Sequence, residues 1–587
     1  MRSPQDEDVP TTSPIAVAQC EREPIYLGTI DRPWFAWRHS PARRTSITGL
    51  VIVPPFGYEA VCAHRTLRHL ADRAAAAGMI ALRIDLDGTG DSAGDDLDPD
   101  RLTAWCATVS AAIDAARAAG ARQVVLVGIR LGVALAARVS ADRPDVAGLI
   151  AIAPVVSGRR WLREMRALQQ SLGLAPAPGN PPAEEGLDEA LGFALTASTR
   201  EAITAIDLDK ASAPPAPSVL VIDRADLPTG EKWAARMKQL GGDVVYRRIA
   251  GYTEMVLDPH KAEVPEEILA STIEYALARP ELANAGSPAP TRIGRIAKLG
   301  EIVEEPVAIG DLLTGIVSRP VRDPKPKRAL VLLNAGCVPR TGPNRNYVTI
   351  ARRCAVEGAL VLRADLSGIG DSLTRIGQPE RVVYSEHALA DVATIVAWCR
   401  RAGVDQIVLA GLCSGGFYAL ETALAGTPLA GIIIINPGTT DAVPYQAAME
   451  MQRYQQSIRD LRKWRKLLSG EVDVQNLARS IHLRARDLGR AWLMKLARAV
   501  GRPLPGDLAA LLEHQAARGV AMTFIFCQGE PSLISFRERA SEAVARLERT
   551  GELHVRVIDG PDHTFTPRWS HRHLIEEVCQ AMARLRR

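Results

Sequence analysis

The chain has 587 residues, more than one hydrophobic core usually supports, so two or more domains are expected. Apolar residues make up 47% and charged residues 24%, as in ordinary soluble globular proteins, and the net charge of +4 is too balanced for an extended nucleic-acid binder. No apolar run is long enough for a membrane span, and the acidic, Pro-rich N-terminus lacks the features of a secretory signal. The nine cysteines show no CxxC spacing, so we expect a cytoplasmic protein with no disulfide frame, metal or cofactor.

The first half of the chain alternates between two kinds of segment. Residues 1–19 are predicted to be a disordered tail, followed by short alternating lead-in segments at residues 25–37. Apolar, β-branched runs and Ala-rich stretches then alternate; the runs lie at residues 50–53, 79–84, 124–127, 149–152 and 218–222, and the stretches include 67–77 and 104–119. Strands that are apolar throughout, with helices between them, predict an α/β domain with a mostly parallel sheet covered on both faces.

The second half repeats this pattern after a Pro- and Gly-rich stretch. We predict a linker at residues 278–293, which separates a first domain at 20–277 from a second at 294–587. The second half has its own lead-in segments and apolar runs, at residues 302–316, 329–333, 359–363, 407–410, 431–435, 521–526 and 555–558. Each half is predicted to carry a lid insertion, the second at residues 440–518.

Two motifs show that the halves are copies of one another. The segment DLDGTGDS at residues 85–92 recurs as DLSGIGDS at 365–372, an offset of 280 residues (85 to 365). The segment GIRLG at 128–132 recurs as GLCSG at 411–415, an offset of 283 residues (128 to 411). A repeat of this length indicates two whole domains rather than the short units of a solenoid.

The GLCSG turn has the form of a nucleophile elbow, in which two flanking glycines let a sharp strand-to-helix turn lift the central side chain above the sheet. Its centre is Cys413; an ordinary turn with a buried cysteine is the alternative. His563 follows the last predicted strand, where this arrangement supplies a general base to a cysteine or serine nucleophile. We therefore predict that Cys413 and His563 share a proton.

The acid and the oxyanion hole are less completely specified by the sequence. Glu530 lies in the loop after the strand at 521–526 and is the predicted acid that orients the histidine; Asp441 is the alternative. Two backbone N–H groups should bind the oxyanion, those of Ser414, next to the nucleophile, and of Cys337, in the loop after the strand at 329–333.

The first half lacks both reactive groups. Arg130 stands at the elbow centre, where a guanidinium cannot act as a nucleophile, and Glu254 stands opposite the histidine. These opposite charges at partner positions predict a structural Arg130–Glu254 ion pair in a non-catalytic domain. Binding of a ligand's carboxylate or phosphate by Arg130 is the alternative.

The lid of the second half is strongly basic. Residues 450–502 contain thirteen Lys or Arg and five Asp or Glu, a local charge of +8. Apolar residues at helical spacing predict amphipathic helices here. A basic surface beside an acyl entrance would attract an acidic acyl-carrier protein or the phosphates of coenzyme A.

These motifs resemble those of known families. The first half resembles the hydrolase-like proteins associated with the exosortase A system, through VPPF at residues 53–56, GDSAG at 90–94 and the Arg-centred elbow. The second resembles a related group through GPNR at 342–345, GDS at 370–372 and GLCSG. The resemblance implies two tandem α/β-hydrolase folds. The Cys-centred elbow is also similar to those of polyhydroxyalkanoate synthases and Cys-type thioesterase domains, which implies acyl transfer from thioesters through Cys413 and His563.

The expected function is thus a cysteine-dependent acyltransferase or thioesterase that acts on acyl thioesters through an acyl-Cys413 intermediate. An ester or amide hydrolase and a non-enzymatic pseudo-hydrolase scaffold are the alternatives. We expect no nucleic-acid partner and no transmembrane segment, and a monomer is plausible because the fused halves can mimic a dimer.

Overall fold

The computed structural model describes residues 20–171, 187–438, 497 and 507–585. The chain forms two compact units: Met1–Pro306 with Gly368–Arg381, and Val307–Ser367 with Val382–Arg587. The domain limits inferred from sequence, with a linker at 278–293, stay a prediction. The tail at 1–19 lies outside the described residues.

The first sheet contains eight strands, ordered β1-β2-β4-β3-β5-β6-β9-β10, among the residues described. Its strands are β1 Cys20–Gly28, β2 Pro33–Pro41, β3 Thr48–Val53, β4 Ile80–Ile84, β5 Gln123–Ile129, β6 Val146–Ile152, β9 Ser218–Arg224 and β10 Asp243–Ile249. The strands β7 Leu187–Ala190 and β8 Phe193–Thr196 form a separate hairpin. The helices are α1 Tyr58–Ala76, α2 Arg101–Ala118, α3 Leu131–Ser140, α4 Gly158–Ser171, α5 Ala197–Thr204, α6 Glu231–Gln239, α7 Tyr252–Met255 and α8 Glu266–Leu277.

The first sheet is antiparallel only at its leading edge. Strands β1 and β2 form an antiparallel hairpin and β2 pairs antiparallel with β4, whereas the remaining neighbours pair in parallel. Both faces of β3 are buried, because Val51 and Val53 belong to one hydrophobic cluster while Leu50 and Ile52 belong to another. Successive side chains of a strand point to opposite faces, so the sheet is covered on both sides.

The second sheet has nine strands, ordered β11-β12-β13-β15-β14-β16-β17-β18-β19, in the described part of the chain. They are β11 Ala297–Leu299, β12 Ile302–Ile309, β13 Leu313–Pro320, β14 Arg328–Leu333, β15 Leu360–Asp365, β16 Gln406–Leu412, β17 Gly431–Ile435, β18 Ala521–Cys527 and β19 Leu553–Ile558. The helices of this half are α9 Asn346–Val356, α10 Ala388–Arg401, α11 Ser414–Leu424, α12 Leu508–Ala517, α13 Pro531–Thr550 and α14 Arg568–Arg584.

The two sheets have one topology, apart from the extra edge strand β11. In the second sheet β13 pairs antiparallel with β15, and the strands from β15 to β19 pair in parallel. The predicted fold class, two tandem α/β domains with mostly parallel sheets, is confirmed. The carboxyl ends of β14, β16, β17 and β18 therefore meet at one edge, where loops of the second half carry their polar residues.

The described residues include most of the first lid region but little of the second. In the first half, whose lid is predicted at residues 159–214, the structure contains α4, which begins one residue earlier, the β7–β8 hairpin and α5. Of the second lid, predicted at 440–518, residues 440–496 and 498–506 lie outside the described residues, and so do its predicted amphipathic helices.

Candidate active site

Cys413 occupies a sharp turn between β16 and α11. Its backbone has φ 57° and ψ −116°, a conformation that residues other than glycine rarely adopt. A Cβ atom on Gly411 would lie 2.3 Å from the carbonyl carbon of Gly415, and one on Gly415 would lie 2.5 Å from the Leu333 oxygen. The two glycines therefore let β16, α11 and the loop after β14 approach closely, and Cys413 is held at the end of the strand.

His563 and Glu530 come together although they are 33 residues apart. His563 Nδ1 lies 3.1 Å from Glu530 Oε2. Glu530 is buried and directly precedes α13, where the partial positive charge at a helix N-terminus favours a carboxylate. The other ring nitrogen, Nε2, is buried and makes no well-formed hydrogen bond with the described residues.

The electrostatic surroundings connect His563 to Cys413 as well as to Glu530. Burial disfavours a charged imidazole, but interactions with Cys413 and Glu530 outweigh it and raise the pKa of His563 well above its ordinary value. The structure thus brings Cys413, His563 and Glu530 into one electrostatically connected group. The alternative acid, Asp441, lies outside the described residues.

A Glu530→Gln variant should lower the pKa of His563, because it removes a negative charge yet leaves an oxygen to accept from the ring. Titration of histidine Cε1–H signals by NMR, with His563→Ala for assignment, measures this change. A pKa raised by folding stabilises the protein below the unfolded value of about 6.5, and this stabilisation is lost as pH rises through the folded pKa. The variant should therefore lose this contribution mainly at low pH. Glu576→Gln, at an exposed Arg572 pair, is the control, and an unchanged His563 titration in Glu530→Gln would contradict the prediction.

The loop after β14 is fastened to the residue that follows Cys413. Gly336 N donates to Ser414 Oγ over 2.8 Å, and this hydroxyl lies 3.3 Å from the Asn334 carbonyl oxygen, to which it donates. Ser414 begins α11, so its own N–H has no acceptor in a preceding helical turn. Cys337, the other predicted oxyanion residue, is buried one residue after Gly336.

Two tyrosines that the sequence analysis missed border the cysteine. Tyr347 is fully buried, and its hydroxyl accepts from Leu412 N over 2.8 Å. Burial raises the pKa of Tyr418 to about 12, and the nearby thiols of Cys337 and Cys413 also raise it. Neither residue belongs to a motif, so only the three-dimensional arrangement shows their proximity to the elbow.

The matching turn in the first half has the same shape without the same chemistry. Arg130 has φ 54° and ψ −119°, almost the angles of Cys413. Its Nε donates to Glu59 Oε1 over 2.9 Å, and a terminal guanidinium nitrogen lies 2.7 Å from Glu164 Oε1. Arg130 is buried, and these carboxylates provide its compensating charge.

The predicted Arg130–Glu254 ion pair is wrong. Glu254 is exposed, and Tyr252, two residues earlier, is turned towards Arg130 instead. The Tyr252 hydroxyl donates to Glu59 Oε1 over 2.9 Å, and its ring centre lies 5.7 Å from the Arg130 guanidinium carbon. An aromatic ring is buried at lower cost than a carboxylate, which favours Tyr252 inside and Glu254 in water.

Comparisons with known proteins agree with this architecture. A family model described as "Serine aminopeptidase, S33" matches residues 62–181, and one described as "Alpha/beta hydrolase family" matches residues 343–581. The chain contains two α/β-hydrolase domains in tandem. In the first α/β-hydrolase domain the elbow residue is Arg130, and in the second it is Cys413.

Solved structures similar to one α/β-hydrolase domain have low sequence identity. They include a putative hydrolase from Agrobacterium vitis S4 (18% identity, 44% of this chain and 99% of that chain, TM-score 0.31) and proline iminopeptidase from Mycobacterium smegmatis (16%, 43% and 97%, TM-score 0.32). A bacterial brefeldin A esterase is 17% identical over 46% of this chain and 80% of its own, with a TM-score of 0.31. No match exists among the curated proteins. These identities carry no information about the substrate of the chain.

In the part of the chain that the structure describes, one group of possible metal ligands lies in the first α/β-hydrolase domain. Ligand atoms of Cys20, His39 and Asp72 lie within 4.8 Å of one another. Arg22 already donates to both Asp72 oxygens, at 2.8 and 2.6 Å, so a cation would meet a guanidinium. Every helix within the described residues is too short or too polar to form a transmembrane span.

Proposed function

We propose that the second α/β-hydrolase domain is a cysteine-dependent acyltransferase or thioesterase that works through an acyl-Cys413 intermediate. The observation that supports this most is the carboxylate–imidazole pair of Glu530 and His563 at 3.1 Å, in electrostatic contact with Cys413 on its strained turn. Nucleophile, base and orienting acid are the three groups that acyl transfer by a thiol requires.

In the proposed first half-reaction, Cys413 gives its proton to His563 Nε2 while Glu530 holds the ring through Nδ1–H. The sulfur attacks the acyl carbonyl carbon, and the backbone N–H groups of Ser414 and Cys337 stabilise the oxyanion. When the intermediate collapses, the carbon–sulfur bond to the leaving thiol breaks, and that thiol takes the proton from His563. The acyl group is then a thioester of Cys413.

In the second half-reaction His563 removes a proton from water, an alcohol or an amine, which attacks the acyl-Cys413 carbonyl. The tetrahedral intermediate releases the Cys413 sulfur, which recovers its proton from His563. A cysteine favours thioester substrates, because exchange between two thioesters changes little free energy and keeps the acyl group activated for the acceptor. An acidic acyl-carrier protein or coenzyme A fits the +8 charge of residues 450–502.

The first α/β-hydrolase domain is proposed to be non-catalytic. Arg130 has no nucleophilic atom at neutral pH, and its guanidinium is paired with Glu59 and Glu164. Neither group at the base position, the Tyr252 phenol or the exposed Glu254 carboxylate, is a histidine. A structural role in the folded chain agrees with these contacts.

Acyl-enzyme formation tests this proposal directly. Wild-type protein is incubated with a panel of acyl-coenzyme A thioesters and matching oxygen esters, and the intact mass and the Cys413 peptide are measured. We expect an acyl adduct on Cys413 from a thioester, formed about 100-fold more slowly in His563→Ala because the base is missing. Cys399→Ala, which removes a buried cysteine on α10, should match the wild type.

Two other outcomes support the alternatives. Turnover of oxygen esters, with no adduct from any thioester, favours an ester hydrolase. Equal alkylation of Cys413 in wild type and His563→Ala, with no turnover of either ester class, favours a pseudo-hydrolase scaffold.

A further inference from the structure

Asn436, directly after β17, joins three parts of the second α/β-hydrolase domain. Its side chain is fully buried, and its backbone has φ 39°, a left-handed conformation that asparagine tolerates. Its Oδ1 accepts from Cys527 N over 2.8 Å, and its Nδ2 donates to Cys527 Sγ at 3.0 Å and to the His563 carbonyl at 2.7 Å. One amide therefore connects the end of β18 to the backbone of the histidine.

Cys527 holds the peptide group between Asp562 and His563. Its Sγ donates to the Asp562 carbonyl at 3.0 Å. The Asp562 and His563 carbonyls belong to the two peptide groups on either side of the histidine, and both are held. The Asp562 carboxylate also accepts from Thr566 N at 2.6 Å and from the hydroxyls of Thr564 and Thr566 at 3.1 and 2.7 Å. The loop is thus fixed around the Cα atom from which the imidazole projects.

The first α/β-hydrolase domain keeps the backbone here but not the side chains. Ala153 N donates to Ile222 O at 2.8 Å, as Asn436 N does to Ile525 O at 2.9 Å, so the two positions correspond. Ala153 has no amide. Two residues after Ile222 comes Arg224, where the second domain has Cys527. The first domain, whose elbow has no nucleophile, therefore lacks the amide and the thiol that make these connections in the second domain.

We propose that Asn436 is a positioning residue that, together with Cys527, holds His563 in line with Cys413. This inference rests on the proposed function, because a fixed imidazole direction matters only if the ring exchanges a proton with the thiol. A small displacement of a base weakens proton transfer strongly, since the transfer requires hydrogen-bond distance.

The test is the rate at which iodoacetamide alkylates Cys413, measured by peptide mass spectrometry from pH 6 to 9. Asn436→Ala, which installs the first-half residue, should react about 10-fold more slowly than wild type at pH 7 and approach it at pH 9, where an unassisted thiol ionises. Cys527→Ala should show the same change of profile. Cys527→Ser, whose hydroxyl can still donate to Asp562 O, should stay within about three-fold of wild type.

Gln123→Ala is the matched control for lost hydrogen bonds. Gln123 is a fully buried amide in the first domain that also makes three bonds, to Thr48 Oγ1, to Pro280 O and from Leu282 N. Its removal should lower the melting temperature and leave the alkylation profile unchanged. If Asn436→Ala does not fold, Cys527→Ala decides the same question.

The outcomes separate this inference from the proposed function. A wild-type profile in Asn436→Ala and Cys527→Ala, together with slow alkylation in His563→Ala, overturns the positioning role alone. Equal rates in wild type and His563→Ala overturn the proposed function, and the positioning role with it.

Discussion

A Cys413→Ala variant should lose acyl transfer from thioesters by about 10³-fold or more, because it removes the sulfur on which the proposed acyl intermediate forms. The hydroxyl of Ser414 does not replace it, since that oxygen accepts from Gly336 N and donates to the Asn334 carbonyl. Release of free coenzyme A thiol from the best thioester of the panel measures the loss. Cys413→Ser keeps the shape of the side chain and should also be slow, because a hydroxyl is far less acidic than a thiol.

The control for this experiment is Cys399→Ala, which should keep wild-type turnover. Circular dichroism of Cys413→Ala should match that of the wild type, because a small side chain fits the same turn. Turnover in Cys413→Ala within ten-fold of the wild type would show that Cys413 is not the nucleophile.

An Arg130→Met variant should lower the free energy of unfolding by about 3 kcal/mol, because it leaves the buried Glu59 carboxylate without its cation. Glu164 contributes less to this loss, since 40% of its side chain is exposed and water compensates its charge. Denaturation by guanidinium chloride at pH 8 measures the difference.

A second substitution shows whether charge causes this loss. Arg130→Met combined with Glu59→Gln should be more stable than Arg130→Met alone, since no buried charge remains unpaired. Glu254→Gln, at the exposed position that the sequence wrongly paired with Arg130, should change stability by less than about 0.5 kcal/mol. Equal losses in the single and double Arg130 variants would indicate that packing, not charge, holds this region.

The sequence predicted the fold because its strands are apolar on both faces and recur in the same order. The run at 431–435, for example, coincides with β17, and its five residues are all buried. The lead-in segments were placed less well: residues 25–37 span the end of one strand, a turn and the start of a second, β1 and β2. Hairpins at a sheet edge carry weaker patterns, because their outer face meets solvent.

Motifs could predict the elbow but not the surroundings that fix it. The sequence placed Glu530 after β18, and the structure puts its carboxylate against His563. Glu254 was matched to His563 because each lies three residues after a glycine, Gly251 or Gly560. The Arg130–Glu254 prediction was wrong because this spacing does not determine which side chain turns inwards, and Tyr252 is the better residue to bury. In the sequence, Asn436-Pro437 lies 283 residues after Ala153-Pro154, the same offset as between the two elbows, but this match assigns Asn436 no role. The signal that could have singled it out was its difference from Ala153.

The shared elbow geometry of Arg130 and Cys413 has a consequence for how such chains are engineered. The turn keeps its shape although its central side chain is a thiol in one domain and a guanidinium in the other. Its backbone is therefore set by the crossing of strand and helix, whose close approach Gly128 and Gly132 allow in the first domain. The first domain therefore has a suitable backbone for a designed second reactive centre. Exchanging position 130 alone would install a thiol on a preformed turn, and building its partners would be the remaining task.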